Sequence, residues 1–593
     1  MFDSPREVTV NDNRITRLLC VLLWLWIVCG IAAAQPQAAP PFTLPEQAEA
    51  GALALALTDA VRNTDAAPPL PDVQATEVWA ALTVMTAGAP ADVVWATAAD
   101  AQAVMEAWTR ILPTIPDTAG VRVDVAYGPV RERLAAPEFR TSRSGDAWGL
   151  AFDPITFGIA LPAEIEARQL FDADGIMDRE RWVDYATERG FDADRLAEAL
   201  TFSPLNVYRF QTVTAVQRPG EPAALLESSR LYAESLTPAI LRDSARAAGD
   251  YLARSVRPDG QFDYLYDAGT GDLSQDYNML RHAGTMYAMT ELERESPDPV
   301  RRAAIGRALR YALAHVGPCV APVSRAEAAC LIEDDEIKLG GQGLLLLALT
   351  EYAEVTGDAQ YMPEMRALAE WIAGAQSADG TFVHIVDARS GQVRDFESSY
   401  YPGEAAFGLL RLYLLDPNPR WLETAQRAVG AIIAANADTA DDDLPHDHWL
   451  LYALSVLHEI DPDAVDRDYV RRLAWVITQA QHRVRVPDSW IGGYFSPPAS
   501  TPTAIRSEGL CAVLPILAGE DALIAADVRD VVLAGVAFQL QTQITADDTI
   551  YLADPARALG GFADELYGYD IRIDTVQHNL SALLCAANAL ARE

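Results

Sequence analysis

Six apolar segments in the C-terminal part of the chain each begin with side chains that could do chemistry. In chain order these candidates are Tyr277, Asn278, Arg281 and His282; Lys338; Tyr400, Tyr401 and Glu404; Asp447, His448 and Trp449; Arg506 and Glu508; Arg572, Asp574, Gln577 and His578. Carboxyl, imidazole, phenol and guanidinium groups transfer protons or hold anions in enzymes. If the segments all start at one end of the fold, they predict a single polar site there.

The carboxylates suggest one kind of chemistry. Cleavage of a glycosidic bond needs a proton donor and a base or nucleophile, and a pair of carboxyl groups usually supplies them. Glu404 and Glu508 are the first candidates for this pair, and Asp447 is the third. Hydrolysis is therefore the leading reaction that we expect, with Glu404, Glu508, Asp447 and His282 as candidate catalytic residues.

The histidines suggest a second kind of chemistry. A lyase or an epimerase removes the proton beside a uronate carboxylate with His or Tyr as base, while Arg, Asn or Gln neutralises that carboxylate. His282, His448 and His578 stand at the same level of three segments. Lyase or epimerase chemistry is the alternative to hydrolysis, and a non-catalytic glycan-binding protein of the cell envelope is a third interpretation.

Cations near the starts of these helices need an explanation. Arg281, Arg506 and Arg572 oppose the helix macrodipole there. Either they form ion pairs with neighbouring carboxylates or they bind an anionic ligand, and a mixture of both is expected. Lys338 is the only lysine of the chain. The remaining candidates are interpreted as substrate-binding, which predicts an acidic carbohydrate as ligand.

The elements that must position these residues alternate between two kinds of helix. Amphipathic segments such as PAILRDSARAAGDYLARSV precede apolar segments such as GGQGLLLLALTEYA, six of each from residue 237 onward. A helix with one apolar stripe lies at a surface, whereas one that is apolar all round is enclosed. The alternation predicts six outer and six inner helices, joined by turns such as Asp259-Gly260-Gln261-Phe262 and Asp379-Gly380-Thr381-Phe382.

This order of outer helix, Asp-Gly-aromatic turn and inner helix resembles the six-hairpin (α/α)6 toroid over residues 235–593. Many glycoside hydrolases, several polysaccharide lyases and sugar epimerases share that fold. The resemblance implies a mainly α catalytic domain that acts on an oligo- or polysaccharide. Terpene cyclases also use a toroid, but Asp441-Asp442-Asp443 lacks the spacing of their acid motif.

The N-terminal third has a different organisation. Residues 1–34, with an apolar run at 18–34 that ends in small residues, predict an export signal. An uncleaved membrane anchor at 18–34 is the alternative. Residues 35–75 are interpreted as a linker with a short helix, and 76–225 as a small α+β domain, because strand-like and helical patterns alternate there. The expected location is periplasmic or extracellular.

Composition narrows the partners. The net charge of −38 argues against binding to nucleic acid or to an anionic membrane surface. No phosphate-binding glycine loop or zinc-binding HExxH motif occurs, so no cofactor is expected. No metal is expected at His446-Asp447-His448, because adjacent helical residues point about 100° apart. Cys319 and Cys330 could form a disulfide, whereas Cys511 and Cys585 are interpreted as core residues.

Overall fold

The computed structural model describes most of the chain after the predicted export signal. The described residues are 40–62, 69–85, 92–111, 115–135, 148–172, 175–202, 204–226, 236–320, 327–546, 548–552, 554–566 and 568–591. The predicted signal at 1–34 lies outside them. Among the described residues, no helix has the length and apolar character needed to cross a membrane.

The N-terminal domain is built on an antiparallel sheet, which has seven strands within the described residues in the order β2-β1-β3-β6-β4-β5, with β7 paired to β6. The strands are β1 (Val78–Met85), β2 (Asp92–Ala98), β3 (Gly120–Leu134), β4 (Gly149–Asp153), β5 (Ile159–Ala160), β6 (Leu205–Gln217) and β7 (Ala224–Leu226). The helices are α1 (Gln47–Arg62), α2 (Ala101–Ile111), α3 (Pro162–Ala167), α4 (Arg179–Glu188) and α5 (Ala193–Phe202). A small domain of strands and helices thus precedes the helical part.

Two clusters of side chains attach this domain to the helical part. Gln169 donates a hydrogen bond from Nε2 to Oδ2 of Asp267 at 2.7 Å. The guanidinium of Arg122 lies 5.4 Å from the ring centre of Tyr551, whose hydroxyl is 3.4 Å from that of Thr83. Leu161 and Ala167 belong to the same apolar core as the helical part. The two parts therefore share buried contacts.

The helical part alternates outer and inner helices, as the sequence predicts. The outer helices are α6 (Pro238–Ser255), α8 (Pro299–Leu313), α10 (Met362–Ala375), α12 (Pro419–Ala435), α14 (Arg467–Ala480) and α16 (Ala522–Leu540). The inner helices are α7 (Met279–Glu295), α9 (Leu339–Thr356), α11 (Tyr401–Leu415), α13 (His448–Ile460), α15 (Ser500–Glu520) and α18 (Ile573–Ala591), with the short α17 (Pro555–Ala558) before α18. Short strands accompany the loops: β8 (Leu265–Asp267), β9 (Val316–Pro318), β10 (Ala329–Leu331), β11 (Glu336–Lys338), β12 (Ile385–Asp387) and β13 (Asp570–Arg572).

The inner helices form a closed ring. Each packs against the next along the chain, and α18 packs against α7. Glycines bring the backbones close: a Cβ on Gly408 of α11 would lie 2.6 Å from the carbonyl oxygen of Gly343 in α9. Over the described residues this ring of six inner helices inside six outer helices confirms the predicted (α/α)6 barrel preceded by a small α+β domain.

The Asp-Gly-aromatic turns fit against the outer layer. Gly260 and Gly380 have positive φ angles of 97° and 92°. A Cβ on Gly260 would lie 2.2 Å from the carbonyl oxygen of Arg307, and one on Gly380 would lie 2.4 Å from that of Arg427. Only glycine satisfies both the left-handed backbone and the close approach to the neighbouring outer helix.

Two disulfides link parts of the toroid. Cys319 bonds to Cys330, as the sequence suggested. Cys511 of α15 bonds to Cys585 of α18, so the interpretation of these two residues as unbonded core cysteines was wrong. The two positions are 74 residues apart in the sequence, and only the neighbouring placement of α15 and α18 brings their Cα atoms to 6.2 Å.

Candidate functional site

All six inner helices begin at the same end of the ring, which we call the mouth. Near their first turns, Arg281 Nε of α7 lies 2.8 Å from Asp574 Oδ2 of α18. Near their last turns, Glu351 of α9 contacts Arg294 of α7 at 2.6 Å and Arg411 of α11 at 2.7 Å. Since starts meet starts and ends meet ends, the inner helices run parallel. The candidates Arg281, Glu404, Glu508 and His578 therefore share one end of the fold.

Three buried side chains from three inner helices meet below the mouth. His448 of α13, Glu508 of α15 and His578 of α18 form this group, which we call the histidine cluster. His578 Nδ1 lies 2.7 Å from Glu508 Oε1, and His448 Nε2 lies 3.4 Å from the same oxygen. The two imidazole rings are 5.2 Å apart and nearly perpendicular. All three residues are site candidates from the sequence, but the sequence does not show that they are in contact.

Neighbouring residues hold the cluster in place. A Cβ on Gly509 would lie 2.9 Å from Cβ of His448, so this glycine lets α13 and α15 approach. The Trp449 ring lies 4.6 Å from His448 and 6.0 Å from His578. Tyr452, which sequence analysis missed, donates from its hydroxyl to Glu508 Oε2 at 3.4 Å. Its spacing of four residues from His448 places both on one helix face, which was the available signal.

Burial determines the protonation state of His448. Burial lowers the pKa of His448 well below its usual value, with His578 and Arg506 adding to the effect, so His448 is neutral at pH 7. Neither of its ring nitrogens has a hydrogen-bond partner among the described residues. Burial raises the pKa of Glu508, while His578 lowers it. The carboxylate of Glu508 is assigned as acceptor from Nδ1–H of His578, which leaves Nε2 of His578 as the basic nitrogen.

The histidine cluster also has the ligand types of a metal site. One ligand atom from each residue can be chosen so that all lie within 4.8 Å of one another. Two ligands bound to zinc at about 2.0–2.1 Å in a tetrahedron lie roughly 3.3 Å apart. The 2.7 Å separation of His578 Nδ1 and Glu508 Oε1 is instead a hydrogen-bond distance. The observed spacing therefore fits proton transfer better than metal binding.

A second acidic group lies beside the histidine cluster. Glu404 of α11 and Asp447, the N-cap of α13, are 3% and 2% exposed. Burial raises the pKa of Asp447 to about 7, and burial together with Asp447 raises that of Glu404 well above its usual value. Glu404 Oε2 and Asp447 Oδ2 have no hydrogen-bond partner among the described residues. At neutral pH this pair holds at least one proton.

Three of the candidate cations at the mouth are paired. Asp574 accepts a hydrogen bond from Arg572 Nε at 2.5 Å and forms an ion pair with Arg281 Nε at 2.8 Å, which together lower the pKa of this buried carboxyl in spite of its desolvation. Lys338 Nζ lies 2.8 Å from Glu333 Oε2. These contacts are the ion pairs that the sequence left open as one explanation for the arginines.

Arg506 differs from the other three. Its Nε donates to His446 Nδ1 at 2.7 Å and its Nη1 to the carbonyl of Pro502 at 2.8 Å. The guanidinium lies 5.0 Å from each of the ring centres of Tyr494 and Phe495. No carboxylate of the described chain lies within ion-pair distance of it.

Several candidates at the mouth do not join the histidine cluster. His282 is fully buried, its Nε2 donates to the carbonyl of Ala308 in the outer helix α8 at 3.0 Å, and its Nδ1 accepts from Tyr277 at 2.6 Å. Burial lowers its pKa to about 4. Asn278 caps α7 by accepting from the backbone N–H of Arg281. These three side chains fix the first hairpin, so the structure does not bring the candidate catalytic residue His282 into the site.

The remaining candidates line the space between the groups described above. The Tyr400 ring lies 5.7 Å from His448, and Tyr401 lies 6.0 Å from His384. Gln577 packs against α7, where a Cβ on Gly284 would lie 2.6 Å from its Oε1. The tyrosines are partly exposed and Gln577 is buried.

Comparison with known proteins finds similarity of fold. No protein-family model and no curated protein matches the sequence. An α-1,6-mannanase from Salegentibacter sp. HEL1_6 is similar over 59% of this chain and 99% of its own, at 11% identity and a TM-score of 0.42. A cellobiose 2-epimerase from Spirochaeta thermophila DSM 6192 is similar over 60% and 98%, at 12% identity and a TM-score of 0.43. An unsaturated glucuronyl hydrolase specific for heparin is similar over 59% and 97%, at 13% identity and a TM-score of 0.41.

The sequence identities of 11–13% and TM-scores of 0.41–0.43 do not assign a reaction to this chain. Because one fold hosts many reactions, the reaction must be argued from the residues at the mouth.

Proposed function

We propose that the toroid is the catalytic domain of an enzyme that moves a proton at a carbon of a sugar next to a carbonyl or carboxyl group, as epimerases and lyases do. The observation that carries this proposal is the histidine cluster: two buried imidazoles 5.2 Å apart, with Glu508 hydrogen-bonded to one of them at 2.7 Å. This reaction is the alternative in the sequence analysis, and the geometry favours it over the leading expectation of hydrolysis.

The roles follow from the contacts. Glu508 holds Nδ1–H of His578, so that Nε2 of His578 is oriented as a general base. His448 is neutral and has an unpaired ring, so it can accept a proton from the substrate or return one to it. For epimerisation, one histidine takes the proton from the carbon while it is neutral, and the other, which must enter the step doubly protonated, delivers its own proton to the opposite face, so the two imidazoles end with exchanged protonation states. For elimination, a histidine takes the proton from the carbon, the bond to the oxygen on the adjacent carbon breaks, the departing oxygen is protonated by the other histidine, and the product is unsaturated.

The lining of the mouth supports a carbohydrate as substrate. Trp449 and Tyr400 flank His448, at ring distances of 4.6 and 5.7 Å. Phe396 and Phe495, in the loops before α11 and α15, are 46% and 58% exposed. Aromatic faces beside hydrogen-bonding groups suit the apolar C–H faces and hydroxyls of a sugar ring.

The proposal is tested by isotope exchange. The purified protein is incubated in D2O with a panel of reducing disaccharides, uronic acids and oligouronates, and proton NMR follows loss of the signal at the carbon next to the carbonyl or carboxyl group. We expect exchange with at least one sugar, accompanied by an epimer or by absorbance of an unsaturated product. His578→Asn should abolish the exchange, and Glu508→Gln should weaken it and shift its pH profile.

Release of reducing ends without any exchange would contradict the proposal. Lys338→Gln is a matched control variant, because Lys338 also lies at the mouth but is paired with Glu333 at 2.8 Å. Its exchange rate should stay close to that of the unmodified protein.

Hydrolysis is the second candidate, and the Glu404–Asp447 pair favours it. Their raised pKa values supply a protonated carboxyl at neutral pH, which is what the acid of a glycosidase requires. Glu404→Gln then separates the two candidates. Under hydrolysis this variant loses reducing-end release, whereas under proton transfer by the histidines it keeps isotope exchange.

We also propose that the enzyme is exported. The predicted signal at 1–34 is one support, and the disulfides Cys319–Cys330 and Cys511–Cys585 are another, since such bonds persist in oxidising compartments. Mass spectrometry of the protein recovered from the periplasm or the medium should show an N-terminus near residue 35. Recovery of the full-length chain from the cytoplasm would contradict export.

A further inference from the structure

The strongest unexplained feature of the mouth is the uncompensated charge of Arg506. This side chain is 7% exposed, yet its contacts are an imidazole, a backbone carbonyl and two aromatic rings. Burial lowers the pKa of His446 to about 4, so the hydrogen-bond partner of Arg506 carries no charge at pH 7. Burial of a cation without an opposite charge is costly, and natural proteins avoid it unless something else pairs with the cation.

Two other arginines at the mouth, Arg281 and Arg572, pair with a carboxylate, as arginines with a structural role do. Arg281 and Arg572 both contact Asp574, at 2.8 and 2.5 Å. They are also more exposed than Arg506, with side-chain exposures of 37% and 29%. The least exposed of these three arginines is thus the one that lacks a carboxylate among the described residues.

The contacts of Arg506 leave one edge of its guanidinium free. Nε and one hydrogen of Nη1 are used by His446 and Pro502. The described residues offer no partner to Nη2 or to the second hydrogen of Nη1. This end-on edge presents two parallel N–H groups, the geometry that holds a carboxylate with two hydrogen bonds.

Arg506 is also close enough to the proposed reaction centre to matter. Its charge contributes to the lowered pKa of His448 and opposes the raised pKa of Tyr400. Its hydrogen-bond partner His446 directly precedes Asp447 and His448 at the start of α13. An anion bound by Arg506 would therefore lie beside the histidine cluster.

We propose that Arg506 binds the carboxylate of an acidic sugar and so determines the substrate class of this site. The inference deepens the proposed function and rests on the same site. A carboxylate carries one negative charge, which one guanidinium neutralises. A phosphate dianion would leave excess negative charge beside Glu404, Asp447 and Glu508, so the carboxylate is the better match.

The test measures binding and does not require turnover. D-glucuronate and D-galacturonate are titrated into the protein by calorimetry, and their methyl esters serve as neutral probes of nearly the same shape. We expect at least one acid to bind about tenfold or more tightly than its ester. Arg506→Gln should bring the acid-to-ester ratio close to one, and Arg506→Lys should restore part of it.

Arg294→Gln is the control, because it removes an arginine that pairs with Glu351 and Glu354 at the opposite end of the ring and should leave the ratio unchanged. Equal affinity for acid and ester in the unmodified protein would overturn the inference, as would the absence of saturable binding of either acid. Tighter binding of D-glucose 6-phosphate than of both uronates would show that a phosphate is the anion and would also overturn it.

A stability measurement distinguishes a ligand-binding role of Arg506 from a purely structural one. If Arg506 served only to hold the fold, Arg506→Met would lower the melting temperature. Because Arg506 is a buried cation without a carboxylate, we expect Arg506→Met to leave the melting temperature unchanged or to raise it. A lower melting temperature together with an unchanged acid-to-ester ratio would contradict the proposal. Failure of the isotope-exchange test with a preserved ratio would refute the proton-transfer reaction but leave the carboxylate site standing.

Discussion

Buried charged side chains occur at both ends of the inner ring, but the two ends differ in how their arginines are paired. Toward the last turns of the inner helices, Glu351 contacts Arg294 and Arg411 at 2.6 and 2.7 Å, and Glu354 contacts the same two arginines at 3.0 and 2.5 Å. Burial and Glu351 raise the pKa of the nearby Glu291 to about 8, so Glu291 holds a proton at pH 7 and two cations meet two carboxylates at this end, which we call the balanced end. At the mouth, Arg506 has no carboxylate partner among the described residues, and burial together with the neighbouring Asp447 raises the pKa of Glu404.

The two ends of the inner ring therefore have different roles. The balanced end holds α7, α9 and α11 together through charge-assisted hydrogen bonds. At the mouth, Arg506 lacks a carboxylate partner and the His448 ring lacks a hydrogen bond among the described residues. Burying such groups lowers the stability of the fold, but it leaves them able to bind a ligand. The predictions below change one end at a time.

The largest effect is expected at the histidine cluster. His448→Asn should lower kcat about 10²- to 10⁴-fold, the usual contribution of a general acid or base. The melting temperature should barely change, because His448 makes no hydrogen bond to the described residues. The isotope-exchange assay measures the first quantity and differential scanning calorimetry the second. A loss of less than tenfold would remove His448 from the reaction.

Replacement of Asp447, in the Glu404–Asp447 pair, is expected to stabilise the protein to an extent that depends on pH. The pKa of Asp447 is about 7 in the folded protein against a usual 3.8, so the folded state binds more protons between pH 4 and 7 and loses stability as pH rises through that range. Asp447→Asn removes this loss and keeps an N-cap side chain. The variant should match the unmodified protein at pH 4 and exceed it at pH 8, by at most about 4 kcal/mol.

Thermal unfolding at both pH values measures this gain. A variant that is less stable than the unmodified protein at pH 8 would show that the Asp447 carboxylate has a compensating partner.

A loss of stability without a loss of activity is expected at the balanced end. Glu351→Gln leaves Arg294 and Arg411 without one of their carboxylates and should lower the free energy of unfolding by about 2–3 kcal/mol. The effect is moderate because the Arg294 side chain is 52% exposed and solvent screens its charge. Urea unfolding measures it, and kcat should stay within about twofold. A large fall in kcat would mean that the two ends are coupled.

No effect is expected from removal of metal ions. The 2.7 Å contact between His578 Nδ1 and Glu508 Oε1 is a hydrogen bond in our interpretation. Dialysis against EDTA should therefore leave both activity and melting temperature unchanged. Loss of activity that zinc restores would instead identify His448, Glu508 and His578 as metal ligands.

The sequence predicted the architecture well, because the spacing of apolar residues within a single helix shows which of its faces are buried. Segments such as GGQGLLLLALTEYA are apolar on all faces, and this property alone places them inside. The sequence did not show which of the candidate residues lie together. His282 and His448 have similar positions near the starts of two inner helices, but His282 bonds to the outer helix α8 while His448 lies beside His578. The rotation of each helix about its axis decides this, and residue types do not reveal it.

The order of outer and inner helices, and the end at which the polar residues collect, follow from periodicity within single helices and can be deduced from the chain's residues. Which groups meet depends on the packing of the helices. That packing brings Arg281 to Asp574 and Cys511 to Cys585, and among the described residues it gives Arg506 no carboxylate partner. Such contacts join residues tens to hundreds of positions apart, and they depend on how neighbouring helices are aligned and rotated, which the local pattern does not encode.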